Sequence, residues 1–187
     1  MKAMVLNGSP HGAGHGMRMA EWLLEDLAAD VSVVNLYDAG MAPCRGCTAC
    51  GGLTDCVQKD GAAEAVAEAL AADCLVLVSP VHFSSLSAPL VGFISRLQMV
   101  WGAGMADGTC AVGEDRPGVL LVSGGSDYPG MFEPARKVAA AAFKTMGREF
   151  TGMVCAPGTD AGGMEGGRGV RGELAGLAER IGSIWGS

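Results

Sequence analysis

The sequence predicts a three-layer α/β domain, in which one doubly wound, five-stranded parallel sheet is covered by helices on both faces. Short apolar runs alternate with segments of helical periodicity along all 187 residues, as in successive βαβ units. The run Cys74–Val78 is apolar throughout, which is typical of a central parallel strand that is buried on both faces. We expect residues 1–187 to form a single domain with a cysteine-rich loop at 38–59, because this length suits one core.

Five apolar runs are the predicted strands. Each is short and leads into a loop or turn, as expected where strands alternate with helices. Right-handed crossovers between such runs bring them into one sheet. Residues 102–116 are rich in glycine and are expected to be irregular. The predicted strands are Ala3–Leu6, Val31–Leu36, Cys74–Val78, Gly118–Val122 and Phe150–Cys155.

Helical signals occupy the intervals between the strands. Asp60 is expected to cap a helix that ends at Ala71, and Ser87 to cap the next one. Pro134 suits the first turn of a later helix, and Gly147 suits the position after its end. The residues expected to face the core are Met17, Ala20, Leu24 and Leu27, then Val66 and Leu70, then Leu90, Phe93, Ile94, Leu97, Val100 and Trp101, and finally Leu174, Leu177, Ala178, Ile181 and Trp185.

Composition and charge exclude several classes of protein. The chain has 13 Lys and Arg against 20 Asp and Glu, a net charge of −7, so we expect no nucleic-acid partner. The longest uncharged stretch, 74–95, contains two prolines and a histidine, so we expect no membrane span. The apolar run after Met1-Lys2 ends too early for a signal peptide, which predicts a cytoplasmic protein. Its seven cysteines are then unlikely to form structural disulfides.

Three loops at strand ends are the expected ligand site, because doubly wound folds bind ligands at the carboxyl ends of their strands. Loop 7–16 combines small residues, a hydroxyl and the start of a helix, which suits a phosphate monoester. It lacks the lysine of a nucleoside-triphosphate loop, and Met17 breaks the dinucleotide glycine pattern. A flexible turn is the alternative. Loops 79–85 and 123–126 follow the third and fourth strands.

These loops resemble those of the flavodoxin-like NAD(P)H-dependent FMN reductases: Asn7-Gly8-Ser9-Pro10, then Ser79-Pro80-Val81-His82-Phe83 with Arg96 in the next helix, then Ser123-Gly124-Gly125. The resemblance covers strands one to four and implies sheet order 2-1-3-4-5, bound FMN, NAD(P)H as co-substrate and a homodimer or homotetramer. Because the flavin carries the chemistry, no catalytic side chain is expected. The implied FMN-binding residues are Ser9, His11, His15, Gly16, Met17, Pro80, Val81, His82, Phe83, Ser84, Ser123, Gly124 and Gly125.

Several of these positions depart from the common pattern of the family. Arginine, asparagine and threonine are usual at His11, His15 and Gly16, and tyrosine and glycine are usual at His82 and Ser84. The lost guanidinium and hydroxyl remove donors to the phosphate, which predicts weaker retention of FMN. The two loop histidines can replace these donors in part, or they are simply solvated.

The second predicted strand is followed by four cysteines with the spacing C-x2-C-x2-C-x5-C: Cys44, Cys47, Cys50 and Cys56. Four thiolates in one short loop suit a 4Fe-4S cluster. Zinc more often uses two separated cysteine pairs. The iron-sulfur flavoproteins, a subset of the same family, carry a compact motif of this kind, whereas other relatives with a similar loop lack a cluster. Free thiols in a loop at a subunit interface are the alternative.

The remaining cysteines and acidic residues receive structural interpretations. Cys74 and Cys155 are expected in the core, and Cys110 has no assigned role. Carboxylates flank the cysteine loop and are expected to serve turns and caps. These carboxylates are Asp38, Asp55 and Asp60. The resemblance implies a subunit interface, and Leu86, Trp101 and Met105 would supply its apolar contact.

The sequence therefore predicts an FMN-dependent oxidoreductase. It would pass electrons from NAD(P)H or a protein donor, through the flavin, to a quinone-like or other acceptor. A second hypothesis is an iron-sulfur flavoprotein that works in electron transfer with a cluster on the four-cysteine loop. A third is a non-catalytic flavodoxin-like module that binds a metal or a partner.

Overall fold

The sheet is parallel and five-stranded, and a computed structural model describes residues 1–50, 56–107, 116–162, 164 and 168–185. The strand order is β2-β1-β3-β4-β5 and every pairing is parallel, which confirms the predicted fold class and order. Each strand lies within two residues of its predicted bounds. The strands are β1 (Lys2–Asn7), β2 (Asp30–Asn35), β3 (Cys74–Pro80), β4 (Pro117–Ser123) and β5 (Glu149–Ala156).

Helices cover both faces of the sheet. Successive side chains of a strand point to opposite faces, so Val76 in β3 packs in one apolar layer while Leu77 packs in the other. The first and last helices cover the Val76 face, and the remaining helices cover the opposite face. Of the helices that the described residues form, none is long and apolar enough to cross a membrane. The helices are α1 (His15–Leu27), α2 (Ala62–Ala71), α3 (Ala88–Arg96), α4 (Gln98–Asp107), α5 (Glu133–Thr145) and α6 (Arg168–Trp185).

The chain from 88 to 107 forms two helices, where the sequence predicts one helix and then an irregular segment. The break falls at Leu97, and residues 102–107 continue as helix, so that part of the prediction is wrong. Since the break ends the register of the apolar stripe, Trp101 is 49% exposed and not in the core. The Trp185 side chain lies outside the described residues. The predicted core residues that are buried here are Leu90, Phe93, Leu97 and Val100.

Two predicted caps differ in the structure. Gly61, with φ of +78°, is the N-cap of α2, while Asp60 accepts a hydrogen bond from the Ala62 N–H through one carboxylate oxygen (3.3 Å). Ser87 is the N-cap residue of α3, but its hydroxyl makes no capping bond and is buried without a partner among the described residues. The backbone N–H of Ser87 donates to Ser79 Oγ (2.9 Å), and this bond ties α3 to β3.

The carboxyl end of α2 is closed by two arginines. Arg148, which is 6% exposed, donates to the carbonyls of residues 69, 72 and 117. Arg116 donates to the carbonyls of residues 70 and 71. The last four carbonyls of a helix have no partner inside it, and a cation is favourable there. Backbone carbonyls hold this guanidinium in a dry environment. Burial there lowers the pKa of Arg148.

Candidate functional site

A cavity of about 510 Å³ opens at the carboxyl ends of β1, β3 and β4. The strand order reverses between β1 and β3, and ligands of doubly wound folds bind at that point. The volume lies within the range of about 300–1,000 Å³ that is usual for small-molecule sites. The lining residues are Ser9, His11, Gly14, His15, Gly16, Pro80, Val81, His82, Phe83, Ser84, Ser123, Gly124, Gly125, Ser126, Tyr128, Met131, Thr159 and Asp160.

The structure brings together all the predicted FMN-binding residues except Met17. That side chain is buried with the core on the α1 face of the sheet, because its position in the first turn of α1 faces β3. The predicted FMN-binding residues omit Tyr128 and Met131 in the β4–α5 loop, and Thr159 and Asp160 after β5. The strand-end rule extends to β5 as well, and it would have indicated Thr159 and Asp160.

The loop after β1 is built around Asn7, which is buried. Its amide donates to Asn35 Oδ1 (2.9 Å) and accepts from the Ser9 N–H (2.9 Å), and Ser9 Oγ accepts from the His11 N–H (3.1 Å). These bonds lead the chain to Gly14, the N-cap of α1, where no side chain caps the helix. The first N–H groups of α1 are therefore left for an anionic ligand.

Two glycines hold this loop close to its neighbours. A Cβ on Gly16 would lie 2.6 Å from Val78 Cγ1, and a Cβ on Gly8 would lie 2.6 Å from Ser87 Oγ. The Gly8 N–H also donates to the Val78 carbonyl (2.8 Å). Threonine is usual at position 16 in the family that the sequence resembles. Glycine there lets the first turn of α1 pack directly on β3.

A tight two-residue hairpin forms the tip of the loop after β3. His82 and Ser85 exchange both backbone hydrogen bonds (3.0 and 2.9 Å), and Phe83 and Ser84 between them have φ of +50° and +60°. Non-glycine residues in this region carry a strain of about 1–3 kcal/mol each. A hydrogen bond of 2.7 Å between the hydroxyls of Ser84 and Tyr128 fixes the tip, which leaves the Phe83 ring fully exposed beside the cavity.

The loops after β4 and β5 are joined at the far side of the cavity. Gly124 donates to the Ala156 carbonyl (2.9 Å) and accepts from the Thr159 N–H (3.0 Å). A Cβ on Gly125 would overlap the carboxylate of Asp160, so glycine is required for this approach. The described cavity lining contains this carboxylate and three histidines, with no lysine or arginine.

A second cavity of about 370 Å³ is lined by all four clustered cysteines: Cys44, Cys47, Cys50 and Cys56. The pKa of the Cys50 thiol is raised, first by burial and then by the charges of Cys56, Cys44 and Cys47. No disulfide joins them. Among the described residues, no three His, Cys, Asp or Glu side chains converge closely enough to hold a single metal ion.

Arg96 holds the cysteine loop from α3. Its side chain is 1% exposed. Nη1 donates to the Ala42 carbonyl (2.8 Å) and to Asp60 Oδ2 (2.7 Å), and Nη2 donates to Cys56 Sγ (3.3 Å) and to the Gln58 carbonyl (3.3 Å). The hydrogen bond from Arg96 is the main reason that the pKa of Asp60 is lowered. Asp60 is thus the counter-ion of a buried arginine, beyond the turn or cap role that the sequence predicts.

Further hydrogen bonds connect the two halves of the loop. Ser95 Oγ accepts from the Cys44 N–H (2.9 Å), so neighbouring residues of α3 bind the first and the last cysteine of the motif. Arg45 Nε donates to Gln58 Oε1 (2.6 Å), and Gln58 Nε2 donates to the Pro43 carbonyl (3.2 Å). The segments before and after the central cysteines are therefore held as one frame.

Comparison with known proteins identifies the family. The sequence matches the NADPH-dependent FMN reductase family over residues 1–178. The chain belongs to this family. An iron-sulfur flavoprotein of Archaeoglobus fulgidus is 30% identical over 100 residues, which are 52% of this chain and 46% of the relative. The chain spans about half the length of the curated relatives that it matches.

Solved structures of low identity share the fold of this reductase-family chain. One is an FMN-dependent NADH-azoreductase from Bacillus anthracis in complex with FMN, with a TM-score of 0.68, 16% identity and coverage of 97% of this chain and 99% of that one. Another is an NAD(P)H:quinone oxidoreductase from Methanothermobacter marburgensis, with a TM-score of 0.67, 20% identity and coverage of 97% and 94%. Both confirm the flavodoxin-like architecture.

Outside the two cavities, the reductase-family chain confirms some predictions and corrects another. Cys74 is fully buried and Cys155 is half-buried, and burial raises the pKa of their thiols to about 12 and about 11, so both are neutral. Leu86 is buried and cannot supply a subunit contact, because it packs in the core beside α3. Three other residues named from the sequence lie outside what the structure describes: Asp55, Cys110 and the side chain of Met105.

Proposed function

We propose that the chain is an FMN-dependent oxidoreductase that passes electrons from NAD(P)H or a protein donor to a quinone-like or other acceptor. The observation that carries this proposal is the single cavity in which the three family-like loops meet, at the carboxyl ends of β1, β3 and β4. The family match and the FMN bound to the Bacillus anthracis azoreductase support the choice of cofactor.

Bound FMN would supply hydride acceptance and onward electron transfer, so the protein needs only to bind and orient it. The uncapped first turn of α1, from Gly14 to Gly16, would hold the phosphate through backbone N–H groups. Residues 80–84 and 123–125 would flank the ring system. The hydrogen bond between Ser84 and Tyr128 would keep the hairpin tip in place at the mouth of the cavity.

Titration of anaerobically purified protein with FMN, followed by flavin fluorescence, tests this proposal. We expect saturable binding of one FMN per chain, and consumption of NADH or NADPH that requires FMN and a quinone acceptor. FMN binding without such consumption would leave a protein electron donor, which dithionite-reduced ferredoxin can represent. Failure to bind FMN would contradict the proposal and favour the non-catalytic module.

Gly14→Asp is expected to weaken FMN binding by about tenfold or more, because one charge-assisted phosphate contact is worth about 1.5–3 kcal/mol. An aspartate N-cap accepts the same first-turn N–H groups and repels the phosphate. The backbone of Gly14 is extended (φ −77°, ψ 178°), and a Cβ there would lie 3.2 Å from His11 Cβ, so a side chain fits once the loop shifts by a few tenths of an ångström. Stability should rise by about 0.5 kcal/mol, since the cap favours the helix. Fluorescence titration and thermal unfolding measure the two effects.

Gly14→Ala is the matched control. It adds a Cβ in the same place but neither caps the helix nor carries charge, so FMN affinity should stay close to that of the original protein. Equal weakening by both substitutions would mean that bulk at Gly14 blocks the site, and that the helix terminus does not hold the phosphate.

We further propose that the chain is an iron-sulfur flavoprotein, with a 4Fe-4S cluster held by Cys44, Cys47, Cys50 and Cys56. The four thiols line one cavity of about 370 Å³ without converging on one point. Their C-x2-C-x2-C-x5-C spacing favours a cluster over a single zinc ion, because a cluster takes one thiolate at each iron and zinc more often uses two separated cysteine pairs. The curated relatives bearing that name support the assignment. A cluster would exchange single electrons.

We also propose that residues 1–187 act as one domain and that the protein is a cytoplasmic homodimer or homotetramer. A four-cysteine loop of metal-binding type suits a reducing compartment, where thiols are kept free of disulfides. Phe83 and Trp101 are large exposed aromatic side chains beside the two cavities, which a second copy of the chain could cover. Light scattering of the FMN-loaded protein measures the oligomeric state, and a monomer would contradict this proposal.

A further inference from the structure

Cys56 differs from the other three clustered cysteines in its surroundings. It is 7% exposed, whereas Cys47 is exposed. Its sulfur accepts two N–H donors, one from Arg96 Nη2 (3.3 Å) and one from the Gln58 backbone (3.4 Å). One of these donors is a buried cation, so the environment of the sulfur is asymmetric in charge as well as in exposure.

Arg96 carries its own counter-charge on the side away from Cys56. Nη1 bonds Asp60 Oδ2 at 2.7 Å, while Nη2 faces the sulfur. Asp60 in turn accepts from the Ala42 N–H (2.9 Å), so the carboxylate has a fixed position. The cysteine sulfur, the guanidinium and the carboxylate are thus joined in series by hydrogen bonds, with the guanidinium buried and the carboxylate part-buried.

We propose that Arg96 sets the reduction potential of the iron-sulfur cluster through its hydrogen bond and charge at Cys56, and that Asp60 opposes it. The proposal rests on the proposed iron-sulfur function. Hydrogen bonds to sulfur, nearby charge and solvent exposure set cluster potentials. Reduction adds a negative charge, so a neighbouring cation raises the potential and a neighbouring carboxylate lowers it. Arg96 acts through Cys56 and is a positioning residue.

The rival explanation is that Arg96 only ties the loop together. The two explanations predict different results when Arg96 and Asp60 are substituted separately. If the arginine is only a tie, then weakening either partner of the ion pair loosens the loop, and both substitutions reduce iron content together. If it tunes the cluster, removing the cation and removing the carboxylate shift the potential in opposite directions.

The experiment compares three variants of the anaerobically purified, FMN-containing protein. Arg96→Gln removes the cation, and Asp60→Asn removes the anion but keeps an oxygen acceptor. Arg45→Gln is the matched control. It removes a cation that lines the same cavity, is solvent-exposed, and donates to Gln58 and not to a sulfur. Iron and sulfide analysis gives the cluster content, and a redox titration followed by electron paramagnetic resonance gives the midpoint potential.

We expect Arg96→Gln to lower the midpoint potential, Asp60→Asn to raise it, and Arg45→Gln to lower it by much less. An unchanged potential in Arg96→Gln, a shift of the same sign in both pair variants, or an equal shift in Arg45→Gln would overturn the role of Arg96 and leave the cluster assignment intact. Absence of iron from the unmodified protein would overturn the cluster and this role with it. If Arg96→Gln loses its iron, Arg96→Lys and Asp60→Asn take its place in the redox titration. A midpoint potential that does not rise in Asp60→Asn then overturns the proposal.

Discussion

Replacing Cys47 with serine is expected to remove the iron and sulfide from the anaerobically purified protein completely. Cys47 is exposed, so a hydroxyl in place of the thiol should leave the fold unchanged. Cysteine thiolate is the usual ligand of iron-sulfur clusters, and a serine hydroxyl remains protonated at neutral pH and binds iron poorly. Metal analysis and the visible absorption of the cluster measure the loss.

FMN binding gives the internal control, because Cys47 lines the cysteine cavity and lies outside the lining of the cavity that is proposed to bind FMN. The affinity for FMN should stay unchanged. Cys155→Ser makes the same chemical change in β5, at a residue that is in the lining of neither cavity, and should retain its iron. Full iron content in Cys47→Ser would contradict ligation by this residue, and zinc in place of iron would favour the non-catalytic module.

Arg148→Ala is expected to lower the free energy of unfolding by about 3–4 kcal/mol. The substitution removes the donors to the carbonyls of residues 69, 72 and 117 and leaves buried acceptors unpaired, at a cost of about 1–3 kcal/mol for each unsatisfied group. Relief of the buried charge offsets part of this loss, because burial already disfavours the ionised guanidinium. Urea denaturation gives the change directly, and the melting temperature should fall by roughly 6–15 °C.

Arg116→Ala is the matched control at the same helix terminus. Arg116 donates to the carbonyls of residues 70 and 71 in a more exposed setting, so water can replace it and the loss should be about 1 kcal/mol or less. Comparable losses in the two variants would mean that the helix dipole, and not the burial of the carbonyls, determines the cost.

The sequence predicts the sheet well because each strand is a short apolar run bounded by turn residues. It does not predict the helix break at Leu97, since the apolar stripe of α3 continues without a breaker toward Trp101. It also misplaces the cap of α2, because Asp60 is recruited by Arg96 and Gly61 takes the left-handed position. These differences arise from tertiary contacts that override local preference.

The candidate site is also predicted only in part from the sequence. Strand ends and loop composition locate the cavity, but whether a side chain of the β1–α1 loop points into it depends on the helix face, which places Met17 in the core. Tyr128 and Met131, which lie well beyond the end of β4, reach the cavity only through the fold. The partners of Arg96 lie 36 to 54 positions away in sequence, and its only local signal is a charge near the end of an apolar helix.

Helix α3 joins the two cavities in the manner of a rigid spacer. Its first turn follows the hairpin loop and is bonded to β3, while Ser95 and Arg96 at its other end bind Cys44 and Cys56. Nine helical residues span about 13 Å along the axis. The points at which the hairpin loop and the cysteine loop are attached to α3 are therefore held apart by the helical rise, and they can approach each other only if backbone hydrogen bonds of α3 break.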